Sequence, residues 1–232
     1  MVSLNAGDDW GSAIALIIEK LPAEVDVTKS GSDSWYWQIL RLDYLSVSST
    51  WTLPDDLTVP VPVEFFPAAG EKLPQHWSKC FGCGDDQPAG MAMSFKAGEG
   101  LEVTGRLEVA KKYQGGPGVI HGGILSTAFD EVQGVACMVL GTPVVTGHLE
   151  IDFARPIPLG SVLEFRARVE GTVRRKVYTS AEAVIVEGPA ADPDVIVGTS
   201  RGLFLTITAE HFAQTQEFVD GVPTSPFGTS SV

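Results

Sequence analysis

The stretch "GVIHGGILSTAFDEV", Gly118–Val132, decides how this chain folds. A histidine and two glycines stand before a run of helical apolar spacing. Leu125, Ala128, Phe129 and Val132, continued by Ala136 and Val139, fall on one face. The helix is read from Ile124 to Leu140, with Gly141 as its stop. It is apolar almost all round, so it is expected to be buried. One acid, Asp130, lies inside it, nine positions after His121. A helix start offers free N–H groups and the positive end of the dipole, which can polarise a carbonyl or stabilise an oxyanion. A carboxylate on a rigid helix can act as base or nucleophile. The pairing points to acyl-transfer chemistry with no metal and no organic cofactor.

Working outward, the flanks read as strands. Leu101, Val103, Leu107 and Val109 alternate with Glu102, Thr104, Arg106 and Glu108. After the helix come three long strands. The first is carried by Val145, Leu149, Ile151 and Phe153 with Gly147 in phase, the second by Leu163, Phe165, Ala167 and Val169, and the third by Val177–Val186. A last strand lies near Val195–Thr208. The order implies an α+β fold, a mostly antiparallel sheet with one central helix.

Before this region the pattern is weaker. Residues 8–21 read as a short helix capped by Asp8 or Asp9 and stopped by Pro22, and "WYWQILRLDYLSVSSTWTL" can hold one or two strands. "LTVPVPVEFFPAAGEKLP" carries four prolines and reads as extended chain rather than sheet interior. The expected organisation is therefore an N-terminal extension (1–75), a central domain (76–208) and a small, polar C-terminal tail (209–232).

The 232 residues carry 16 Lys+Arg against 29 Asp+Glu, a net charge of -13, which disfavours nucleic acid and anionic membranes as partners. Hydrophobic content of 44% supports a packed core. Three cysteines give no disulfide framework and suit a reducing compartment, and "MVSLNAGDDW" lacks a signal-peptide pattern. The expectation is a soluble cytoplasmic protein.

Three segments together, "CFGCGDDQPAGMAMSF" (Cys80–Phe95), "GGPGVIHGGILSTAFDEV" (Gly115–Val132) and "VVTGHLEIDFARPIPLGSVLEFRARV" (Val144–Val169), resemble the hotdog-fold acyl-CoA thioesterases. The likeness is to the phenylacetate-pathway type and its medium- and long-chain acyl-CoA relatives, over about residues 78–208. It implies an antiparallel sheet wrapped around one long helix, with an N-terminal extension here. It implies hydrolysis of acyl-CoA to free acid and CoA by a homodimer, often paired into a tetramer. By the same resemblance Asp130 is the catalytic base or nucleophile, the Gly122 N–H meets the thioester carbonyl, His121 shapes the glycine turn or takes a catalytic part by bonding the substrate carbonyl, and Thr146 holds the water. Where some relatives carry Asn or Gln about six positions before the histidine, this chain has Gly115 with Gln114 beside it. Gln87-Pro88 replaces the relatives' Asn-Pro.

Substrate contacts are expected from Gly123, from His148 and Asp152, which share a strand face with Thr146 and Glu150, and from a basic group. That group is Arg174, Arg175 and Lys176 between two strands, with Arg155 at a strand end, the best local phosphate site in an acidic chain. Nine residues at about 100° put His121 and Asp130 half a turn out of phase and roughly 13 Å apart along one helix. Asp130 of one subunit must then work with His121 and Gly122 of another.

Cys80 and Cys83 form a CxxC with no second cysteine pair, and His76 raises the ligand count to at most three, so the pair reads as structural and no metal is expected. Two other functions remain open. A hotdog hydratase or dehydratase would pair an acid with a histidine, and "DDQPAG" echoes such a signature without its histidine. A non-enzymatic acyl-CoA-binding protein would use the first 75 residues to cover the site or hold a partner.

Overall fold

A computed structural model describes residues 52–208. The short helix expected at 8–21, most of the aromatic segment before residue 53, and the C-terminal tail lie outside the described residues. Six strands form one antiparallel sheet: β1 (Ser94–Ala97), β2 (Glu102–Glu108), β3 (Val144–Phe153), β4 (Val162–Val173), β5 (Lys176–Glu187) and β6 (Asp192–Thr206). Their order across the sheet is β1-β2-β4-β5-β6-β3. One α-helix, α1 (Gly122–Ala136), lies against it. This is the antiparallel sheet and central helix that the alternation and the helical spacing imply.

The helix is shorter than its apolar run. After Ala136 the chain tightens into a 3-10 turn, Cys137–Leu140, and Gly141 closes it at φ 64°. A Cβ there would lie 3.0 Å from the Val63 side chain, so both the left-handed backbone and the neighbour favour glycine. Leu125, Ala128, Phe129, Val132, Val135 and Ala136 are buried, and the Phe129 ring meets Phe165 of β4 edge-on at 5.2 Å. The helix is not buried all round. Ser126, Thr127, Asp130, Glu131 and Gly134 remain half-buried, because the sheet covers one side of α1 only.

Gln133 is the polar exception in this interface, fully buried among apolar neighbours. Its amide nitrogen donates to Phe129 O at 3.0 Å and Ser200 Oγ at 2.9 Å, and its oxygen accepts from Thr179 Oγ1 at 2.8 Å. Helix, β5 and β6 are thus joined through one satisfied side chain.

The proline-rich segment forms no strand. It touches the sheet through single bridges, Thr58 to Thr172 and Lys72 to Lys96, and Val63 N–H donates to Val139 O at 3.0 Å. Leu73 is buried in the core.

β3 is an edge strand ten residues long, paired only with β6 among the described residues. Its ladder is interrupted at Gly147: Thr146 pairs with Phe204, but His148 pairs with Leu203. One extra residue of this kind reverses which side chains face the helix.

Candidate active site

Asp130 projects from the half-buried side of α1, and its Oδ1 accepts a 2.7 Å hydrogen bond from Thr146 Oγ1. The bulge at Gly147 makes this contact possible. Thr146 lies opposite Phe204, which packs toward the helix 3.7 Å from the position of a Cβ at Gly134, so Thr146 faces α1 as well. His148, Glu150 and Asp152 fall on the other face. Glu150 and Asp152 line a polar trough with Arg166, Arg168, Glu182 and Arg201. The expectation that Thr146 shares a face with His148 and Asp152 is therefore corrected: strict alternation fails where the strand gains a residue. His148 is exposed, its Nε2 3.8 Å from Glu150 Oε1.

The helix start is built by His121. Its backbone is extended (φ -73°, ψ 133°) and its N–H donates to Tyr113 O at 2.8 Å. Its Nδ1 accepts the Gly123 N–H at 2.8 Å, capping the helix. With Nδ1 an acceptor, the neutral ring carries its proton on Nε2 and presents a donor there. Gly123 is consumed by this cap. The Gly122 N–H, first in the helix, is given to no atom of the described residues. The Phe153 ring lies 3.7 Å from where a Gly122 Cβ would stand.

Gly115 accounts for the side chain that some relatives have nearby and this chain lacks. A Cβ at 115 would lie 2.8 Å from His121 Cα, and the Gly115 N–H donates to Val119 O at 3.0 Å. The turn that delivers His121 closes too tightly for a side chain at that position. Gln114 is fixed by backbone bonds to Lys111 and Ile120. Gln87 donates to Lys79 O at 3.4 Å, a contact within its own loop.

Gly122 and Asp130 sit on the same regular helix, eight positions and about 12 Å of rise apart. No single thioester group spans that gap, so within one chain the carboxylate and the open amide address different points.

The basic group is only partly available. Arg174, at φ 54°, and Arg175 form the tip of the β4–β5 hairpin, and Lys176 begins β5, all exposed. Arg175 turns back, donating from Nε at 3.0 Å and Nη2 at 2.9 Å to Thr206 O. It therefore supports the end of β6 rather than reaching out with its neighbours. Arg155, also exposed, follows β3, its N–H bonded to Val197 O.

Sequence reasoning missed a second cluster. Glu131, one residue past Asp130, meets His76, Cys80 and Cys83, so the count of three possible ligands omitted an acid about fifty residues away. No local spacing signals it.

Residues 117–190 match the family model described as the thioesterase superfamily. The antiparallel sheet and helix around that segment have the hotdog fold. Among curated proteins, the chain is 39% identical over 69 residues to an acyl-coenzyme A thioesterase THEM4 of Xenopus laevis, covering 30% of this chain and 31% of that one. It is 33% identical over 97 residues to the Bos taurus THEM4, covering 42% and 38%. The chain thus spans about a third of these relatives' length. A solved thioesterase superfamily protein superposes with TM-score 0.50 at 25% identity, over 61% of this chain and 70% of the other.

Proposed function

We propose that this protein hydrolyses acyl-CoA thioesters to a free acid and CoA, at a site shared between two copies of the chain. The observation that carries the reading is the Asp130–Thr146 pair at 2.7 Å, on the same helix as an unclaimed amide about 12 Å away. In a symmetric pair, Asp130 of one copy can face Gly122 of the other. The long edge of β3, unpaired among the described residues, supports such pairing, since an unpaired strand edge is a ready template for a second strand. The acyl-CoA thioesterase relatives support the substrate class.

In this mechanism the Gly122 N–H and the helix dipole polarise the thioester carbonyl, and the His121 Nε2–H is a second available donor. Thr146 orients the Asp130 carboxylate by donating to Oδ1. Asp130 either takes a proton from the attacking water or attacks the carbonyl carbon itself, and CoA thiolate leaves. Arg174, Lys176 and Arg155 are the cations free to meet the CoA phosphates, with Arg175 bracing their hairpin. The reducing cytoplasm is the compartment in which three free cysteines persist.

The test is thiol release from a panel of acyl-CoAs by wild type and Asp130→Asn. The wild type is expected to release CoA from some chain lengths and the folded variant to lose nearly all of that activity. Enoyl-CoA hydration without thiol release, or tight acyl-CoA binding with no turnover, would replace this reading with a hydratase or a binding protein.

A further inference from the structure

Four side chains from two distant parts of the chain converge beside α1. His76, Cys80 and Cys83 come from the loop before β1, and Glu131 comes from the helix. Their ligand atoms all lie within 4.8 Å of one another. Cys83 Sγ is 3.4 Å from His76 Nδ1, and His76 Nδ1 is 3.5 Å from Glu131 Oε1. Cys80 Sγ is 3.5 Å from Glu131 Oε2. Tetrahedral zinc with bonds of about 2.0–2.3 Å separates its ligands by about 3.3–3.8 Å. These three separations fall in that range, and the remaining pairs lie within 4.8 Å.

The loop is shaped to hold them. The Cys80 N–H donates to Trp77 O at 3.1 Å, and the Gly84 N–H to Cys80 O at 2.8 Å. The Gly82 N–H donates to Cys80 Sγ at 3.3 Å, a bond that favours a thiolate at that sulfur. A Cβ at Gly82 would collide with the Glu131 side chain, so glycine there lets the turn close on the acid. The turn is tied to the strand side by Met91 N–H to Phe81 O at 2.8 Å and Met93 N–H to Gly82 O at 2.9 Å. Cys83 is buried and the Glu131 side chain is 13% exposed.

We propose that His76, Cys80, Cys83 and Glu131 bind one Zn²⁺ ion as a closed structural site. Two sulfurs, one imidazole nitrogen and one carboxylate oxygen are a donor set that zinc accepts, and four protein ligands complete its tetrahedron. The alternative is a neutral hydrogen-bonded cluster. It would leave a buried carboxyl and two thiols gathered around a single imidazole. As a divalent cation binds, the two thiol protons and the carboxyl proton leave to solvent, and the ion offsets all but one of the negative charges so formed. The ion would fasten the loop to α1 one residue from Asp130, without entering the reaction, so this site stands or falls separately from the proposed activity.

The experiment uses the full-length reduced protein, purified without chelator or metal-affinity resin, incubated with zinc and passed through gel filtration. Elemental analysis is expected to find one zinc per chain. Cobalt(II) in its place is expected to give the visible bands of a tetrahedral ion and a thiolate-to-metal charge-transfer band. Zinc should shield Cys80 and Cys83 from a thiol reagent and raise the thermal midpoint, both reversed by a chelator. Glu131→Gln, which keeps both thiols, should weaken zinc binding more than about 10-fold. The proposal is overturned if the reduced wild type retains no zinc, if cobalt shows octahedral bands without charge transfer, or if Glu131→Gln binds zinc as tightly as wild type. If the variant does not fold, the wild-type zinc content and cobalt spectrum decide the matter alone.

Discussion

At position 122 the backbone does not demand a glycine. A Cβ there would meet only the Phe153 ring at 3.7–3.8 Å, an ordinary contact. The preceding His121 is already extended, the conformation a following proline requires. Position 122 is also the first of the helix, where proline is well tolerated. Gly122→Pro therefore removes one N–H and little else. The variant is expected to keep its circular dichroism and thermal midpoint while thioester hydrolysis falls by roughly 10²–10³, the usual cost of one oxyanion donor. An unchanged rate would remove this amide from the mechanism. At this scale the sequence was legible where one residue acts alone: the acid inside an apolar helix and the histidine before two glycines were both visible. Gly115 was visible only as a missing side chain. The reason for it, the Cα of His121 2.8 Å from a would-be Cβ, belongs to a turn that no spacing rule describes.

At the scale of elements, α1 is held to β5 and β6 by Gln133 as well as by apolar packing. Gln133→Ala would open a cavity and delete three hydrogen bonds, and is expected to cost about 2–4 kcal/mol in urea denaturation. Gln133→Leu should cost clearly less. The Thr179 hydroxyl can still donate to Gly202 O and the Ser200 hydroxyl to Glu150 O. On β4, burial works against ionising Glu170, but the Arg168 guanidinium and the Ser180 hydroxyl outweigh it and hold the carboxyl below its ordinary 4.5. A carboxyl lowered on folding stabilises the fold above that value and loses its contribution as the pH falls through the folded value. The thermal midpoint of Glu170→Gln should thus lie below wild type at neutral pH, with the gap closing once the pH drops under about 4.5. The strands after the helix were readable because their inward residues alternate over long runs. The 3-10 ending of the helix was not, since Cys137–Leu140 continues the same apolar pattern with a different hydrogen bond.

At the scale of the molecule, the proposed site requires two chains. Asp130→Asn and Gly122→Pro, each inactive alone, can be co-expressed and purified together. A random mixture places half of its dimers in the mixed form, each with one intact site of two, so about a quarter of wild-type thioesterase activity should return. No recovery in verified mixed dimers would place both groups in one chain's site. This scale was least legible from the sequence. The arithmetic of helix rise pointed to a partner, yet the gathering of His76, Cys80 and Cys83 around Glu131 depends on how a loop folds over a helix some fifty residues later.

The irregularity at Gly147 carries a consequence for how β3 can vary. Counted in twos, the strand changes parity at that glycine: even-numbered positions turn inward before it and outward after it. Deleting the one residue would make the ladder regular, with Thr146 still opposite Phe204 and His148 still opposite Leu203, so the Thr146 hydroxyl would keep its side of the sheet. The facing of the threonine is therefore set by its partner on β6 and not by its distance along the chain from His148, and a strand shortened at this point could hold the same hydroxyl in the same place.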